Sequence, residues 1–128
     1  MSLRFLGTAS ACALALAAAL AAAQGARAGK ADVLSVKAEC KESKCRFLAT
    51  VRHADEGWSH YANRWEVLDM DGNVLTTRVL THPHVEQQPF TRAKDWTEIP
   101  PEITRVRVRA HDSVHGYGGE EVEVGLER

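Results

Sequence analysis

From about residue 34 onward the chain repeats with a period of two, and this alternation restricts its fold more than any other feature. Leu34, Val36, Ala38 and Cys40 alternate with Ser35, Lys37 and Glu39, and Cys45, Phe47, Ala49, Val51 and His53 share one parity against Arg46, Thr50 and Arg52. After Ile103, the residues Val106, Val108 and Ala110 alternate with Arg105, Arg107 and Arg109. Near the C-terminus Val122, Val124 and Leu126 stand against Glu121, Glu123 and Glu127. Residues two apart share one face of an extended strand, whereas an amphipathic helix needs a spacing of three to four. Further strands are expected over about 61–69, 74–81 and 88–99. Asp71-Gly72 marks a tight turn between the first two of these, because Gly accepts a positive φ without steric cost. Pro100-Pro101 ends the third, since proline cannot donate to a ladder. Seven short strands at intervals of roughly 8 to 12 residues predict an all-β fold, a two-sheet antiparallel sandwich.

The first 28 residues are of another kind. Arg4, an Ala/Leu-rich stretch and Ala26-Arg27-Ala28 form the positive, apolar and small-residue regions of a secretory signal peptide, with cleavage expected after Ala28. Reading Cys12 as a lipid-attachment cysteine is disfavoured, because Ala9 stands where Leu is usual and apolar sequence follows. The chain has 128 residues, 16 basic and 17 acidic. Subtracting Arg4 and Arg27 leaves 128 - 28 = 100 residues, 29–128, with charge 14 - 17 = -3. One hundred residues make one domain with one core. A mildly acidic domain lacks the clustered Lys and Arg that nonspecific binding to nucleic acid needs. No apolar run after residue 28 is long enough to span a membrane. Cys40 and Cys45 remain, and in an exported, oxidising setting, periplasmic or secreted, they are expected to form a disulfide clasping a hairpin. Their spacing is not the Cys-x-x-Cys of redox or metal pairs.

The segments WEVLDMDGNVL, IPPEITRVRVRAHDS and EEVEVGL, in that order, resemble the middle and last strands of fibronectin type III and related immunoglobulin-like domains. The resemblance covers most of residues 29–128 and implies the sandwich fold; it does not settle a function.

The six histidines are His53, His60, His82, His84, His111 and His115. If each strand reverses the one before, the second, fourth and sixth strands end at His53, His82 and His111. The third, fifth and seventh then start after His60, His84 and His115. All six are expected at one pole, with the cysteines at the other. Imidazole suits Zn, Cu, Fe and Ni, and loops converging at a sandwich end can aim several rings at one point. His82-Pro83-His84 places two rings on one side of an extended segment, and His111 and His115 offer two more; these four lead the expected ligands, followed by His53 and His60. Asp112, of inward parity, is expected to orient a ligand ring from behind. Asp55 and Glu56 are nearby carboxylates that could ligate, but solvated loop charges are the favoured expectation for both. Copper or zinc is the expected metal, ahead of iron.

His60-Tyr61 with Trp65, and the His115-Gly116 turn after a strand ending in Val-Arg-Ala, are similar to the iron centre of superoxide reductases, also built on an immunoglobulin-like sandwich. In that family four histidines and a cysteine thiolate bind iron. Asp112 stands here where the thiolate would, so the resemblance implies a pole able to hold a metal and carries over no redox chemistry and no catalytic residue. No nucleophile elbow, catalytic triad or phosphate loop occurs, and no enzymatic activity is expected from the motifs. Two other uses of the pole fit the same residues. One is a metal-free module docking a protein or glycan through Trp58 and Tyr117. The other is a pH-responsive binder, in which protonating six imidazoles moves the charge from -3 to about +3.

Overall fold

The computed structural model describes residues 29–128; the expected signal peptide, its cleavage point and Cys12 lie outside the described residues. Seven strands follow in order: β1 (Asp32–Lys41), β2 (Lys44–Arg52), β3 (Ala62–Leu68), β4 (Val74–Val79), β5 (Phe90–Glu98), β6 (Arg105–Asp112) and β7 (Val122–Gly125). They form two antiparallel sheets, β1-β2-β5 and β4-β3-β6-β7. The protein is therefore the all-β, two-sheet antiparallel sandwich that the alternation predicts, of the immunoglobulin-like kind that the resemblance implies. The strand ends fall within two residues of expectation.

The core follows from parity. Cys45, Phe47, Ala49 and Val51 of β2 face Trp65 and Val67 of β3 and Val106, Val108 and Ala110 of β6, all essentially buried. Burying each large apolar side chain contributes about 1.5–3 kcal/mol, so these three central strands hold most of the hydrophobic stabilisation. The outward arginines of β6 pair across the sheet surface, Arg105 with Glu123, Arg107 with Glu121 and Arg109 with Glu66. In β1 a register shift between Val33 and Ser35 puts Val33 in the core and turns Leu34, which begins the sequence pattern, toward solvent.

Cys40 and Cys45 pair across the β1–β2 hairpin and are disulfide-bonded. A loop this short gives about 2 kcal/mol by restricting the unfolded chain. At the same end lies the turn at Asp71-Gly72, where Gly72 has φ 91°. Asp69 Oδ1 there accepts the backbone N–H groups of Asp71 and Asn73 at 2.9 and 2.8 Å. The Asn73 side-chain amide, donating to the same carboxylate, is the chief cause holding its pKa below the usual value.

The pairings Val51↔Phe90, Ala62↔Asp112 and Arg64↔Val79 define the opposite end. β2, β4 and β6 finish there and β3, β5 and β7 begin there, so all six histidines emerge at one pole.

Candidate metal centre

Three segments meet at that pole: residues 53–61 between β2 and β3, 80–89 between β4 and β5, and the end of β6 with its following turn. Asp112 closes the inward row Val106, Val108, Ala110 and is fully buried. Its Oδ1 accepts the backbone N–H groups of Val114 and His115 at 2.8 and 2.7 Å. This turn, closed by the paired backbones of Asp112 and Gly116 with Gly116 at φ 76°, carries His115 back over the carboxylate. His115 Nδ1 lies 3.3 Å and His60 Nε2 3.2 Å from Asp112 Oδ1, while His53 Nε2 lies 3.8 Å from Oδ2. The rings pack in series, with centroids of His53 and His60 at 4.8 Å and of His60 and His115 at 4.9 Å.

Two buried atoms in this cluster, His60 Nε2 and Asp112 Oδ2, have no hydrogen-bond partner. A buried polar atom without a partner costs about 1–3 kcal/mol, and a cation among these groups removes that cost. The ligand atoms of His53, His60 and Asp112 all lie within 4.8 Å of one another. Three donors each about 2.1 Å from one ion sit about 3.4 to 3.6 Å apart, so the group can hold a metal ion after side-chain shifts of up to about 1 Å. The carboxyl is suited to it. Burial is the largest single influence on Asp112 and opposes ionisation, but the N–H groups of His115 and Val114 and the imidazoles of His53 and His115 together outweigh it and hold its pKa below the usual 3.8.

The outer contacts orient the rings. His53 Nδ1 donates to Asp55 Oδ1 at 2.6 Å, and His60 Nδ1 is 3.5 Å from Glu56 Oε1, which leaves both Nε2 atoms toward Asp112. Carboxylates in this position set the tautomer and raise the basicity of a ligating imidazole. Asp55 departs from its expectation as a solvated loop charge. It is buried, and besides His53 it accepts the backbone N–H of Ala62 at 2.9 Å and of His84 at 2.7 Å. Nothing in the local sequence marks this, because its partners come from three separate segments.

The structure does not bring all six histidines to one point. His82 and His84 form a separate pair, centroids 4.6 Å apart, with His84 stacked on Phe90 at 4.0 Å. Arg92 Nη2 donates to His84 Nε2 at 2.9 Å, and a guanidinium there repels a second cation. His111 precedes Asp112 on the same strand, so its side chain points to the opposite face. There its Nδ1 donates to Asn63 Oδ1 at 2.7 Å and its ring meets the edge of Tyr117. Tyr117 is itself packed, with Arg109 over its ring at 3.7 Å and Arg64 donating to its hydroxyl at 2.8 Å. Of the four leading histidines only His115 places a ring nitrogen beside the Asp112 carboxylate, and Asp112 itself belongs to the group whose atoms could hold an ion.

Burial first, then the charge of Arg92 and the neighbouring His82, lower the pKa of His84 below the usual 6.5. Burial and then Arg64 do the same for His111. A histidine whose folded pKa is depressed binds fewer protons in the native state than in the unfolded chain, so stability rises with pH across that interval. Resistance to urea is therefore expected to be full above about pH 7 and to fall as pH drops below about 6.5, with a second loss from Asp112 below about 3.8. Urea midpoints across this range test the sign. His84→Gln should flatten the upper part of the curve.

A sandwich of this kind, with a buried carboxylate among imidazoles at one pole, defines a class of protein able to hold a metal ion. No protein-family model matches the chain. A protein of Halomicrobium mukohataei named "Putative lipoprotein" is 42% identical over 81 residues, covering 63% of this chain and 39% of that protein. The chain thus spans about two-fifths of that relative's length. Among solved structures, superoxide reductase in the oxidised state aligns with a TM-score of 0.45 and 15% identity, covering 77% of this chain and 90% of that one.

Proposed function

We propose that this is an exported metal-binding protein whose centre is formed by Asp112, His60, His115 and His53. The observation that carries the reading is the fully buried Asp112, with one oxygen lacking any partner and imidazole nitrogens of three histidines within 3.8 Å of its carboxylate. Imidazoles with one carboxylate and no thiolate suit zinc, copper(II) or iron(II). Export to the periplasm or beyond is supported by the pattern of residues 1–28, by the disulfide and by the name of the relative. Within the immunoglobulin-like class we read the pairing of the fourth strand with the third as the fibronectin type III arrangement. The role is binding, as carriage, storage or sensing of the ion.

The test is a titration of chain 29–128 with Zn(II), Cu(II) and Fe(II) against a competing chelator, with thermal unfolding followed in parallel. A specific site raises stability by about 2.7 kcal/mol at a hundredfold excess over Kd. Replacing His60 and His115 together by Ala should abolish this gain, and replacing His82 and His84 should leave it. If no ion binds at one equivalent under chelator competition, the proposal fails.

A second reading is a metal-free docking module. Trp58 at 68% exposed, Val114 at 58% and Val85 at 55% put one apolar side chain on each of the three segments of the pole. On this reading Trp58→Ala weakens capture of a partner and the histidine variants do not. Tyr117, held between Arg64 and Arg109, would contribute less than expected from sequence.

A further inference from the structure

The start of the described chain also reaches this pole. Ala31 is buried, the backbone N–H of Val33 donates to the Glu120 carbonyl at 2.9 Å, and the N–H of Glu120 donates to Asp32 Oδ1 at 2.8 Å. A Cβ on Gly119 would overlap the Ala31 carbonyl, so the two segments are in direct backbone contact. Two residues before Ala31, the Gly29 carbonyl oxygen lies 2.9 Å from His53 Nε2.

His53 already donates from Nδ1 to Asp55. Its Nε2 then faces two oxygens that can only accept, Gly29 O at 2.9 Å and ionised Asp112 Oδ2 at 3.8 Å. A ring nitrogen among such oxygens is satisfied either by carrying a proton or by sharing a cation with them. Two donors at about 2.1 Å from one ion and at right angles are separated by about 3.0 Å, close to the spacing of Nε2 and Gly29 O. Asp112 Oδ2, which has no hydrogen-bond partner, lies 3.8 Å from the same nitrogen and is the third ligand atom available there.

We propose that the Gly29 carbonyl is a further ligand of the metal centre, so that the ion ties the segment leading into β1 to His53 and Asp112. This rests on the metal reading above and adds a backbone oxygen to its side chains. Backbone carbonyls are hard donors, and together with a carboxylate they shift preference toward zinc or iron(II) and away from copper(I). The side chain at position 29 is immaterial, since a Cβ placed there meets nothing within 4 Å. Only the carbonyl's presence counts.

The test compares N-terminally acetylated chains 29–128 and 31–128, so that no free amine is presented near the site. The core cluster runs from Ala31 to Leu126 and is complete in both, and thermal unfolding without metal checks that both fold. Zn(II) affinity by chelator competition should fall about ten- to a hundredfold in the shorter chain and stay unchanged in Gly29→Ala of the longer one. Gly29-Lys30 is the single Gly-Lys pair in the sequence, so labelling Gly carbonyl carbon and Lys nitrogen isolates one NMR signal, which should shift on Zn(II) binding. Equal Zn(II) affinity of the two chains, or an unmoved signal, overturns the ligand while leaving the centre. Tighter binding by the shorter chain also overturns it, making the carbonyl a competitor for His53. If neither chain binds Zn(II), Cu(II) or Fe(II), the centre itself fails, and the ligand with it.

Discussion

Asp55→Ala is expected to destabilise the protein by about 3–5 kcal/mol, read as a lower urea midpoint at pH 7.5 with an unchanged slope. The carboxylate is buried and accepts three N–H groups, from the ring of His53, the first residue of β3 and the backbone of His84. Truncation leaves those donors buried without partners, at about 1–3 kcal/mol each before relaxation. It also releases segment 80–89 from segment 53–61 and from the start of β3. Asp55→Asn should cost less, because its carbonyl oxygen still accepts from one side, but its amide then confronts a backbone N–H as donor against donor. A loss below about 1 kcal/mol for the Ala variant would mean that water replaces the carboxylate and that the pole is looser than the hydrogen bonds require.

Asp112→Asn is the second large effect, and it falls on binding. The amide retains an oxygen for the N–H groups of Val114 and His115, so the turn that carries His115 should persist, and metal-free stability should fall only by the part that the ionised carboxylate contributes. What disappears is the negative charge at the point on which the imidazoles of His53, His60 and His115 converge. Changes to groups that only support a ligand cost 10–100-fold in affinity, so loss of a direct anionic ligand should cost about a hundredfold or more. Chelator competition with Zn(II) measures it. If Asp112→Asn binds as tightly as the parent, the carboxylate is outside the centre, and His82, His84 and His111 regain their place as candidates.

The fold was largely legible because a sandwich writes its core as parity. Val106, Val108 and Ala110 of β6 needed only alternation to be placed inward, and Asp112 continues the same row into the pole. That parity already separates Asp112 from His111. Its place beside a turn makes His111 an expected ligand, yet adjacent residues on a strand point to opposite faces and do not both enter one site. The bulge at Val33/Ser35 was not legible, since one extra residue in a ladder leaves no mark in composition.

Sequence by itself determined the strands, the disulfide clasp and the gathering of six histidines at one end, because each depends on near neighbours and on the reversal of successive strands. Tertiary structure decided which of those histidines meet. Arg92 comes from β5 to occupy His84, and Asn63 comes from β3 to occupy His111. Asp55 draws His53 and the backbone of His84 into one network, and Gly29 arrives from the segment leading into β1. These contacts join residues far apart in sequence, and their selection depends on distances of a few tenths of an ångström that no residue spacing encodes.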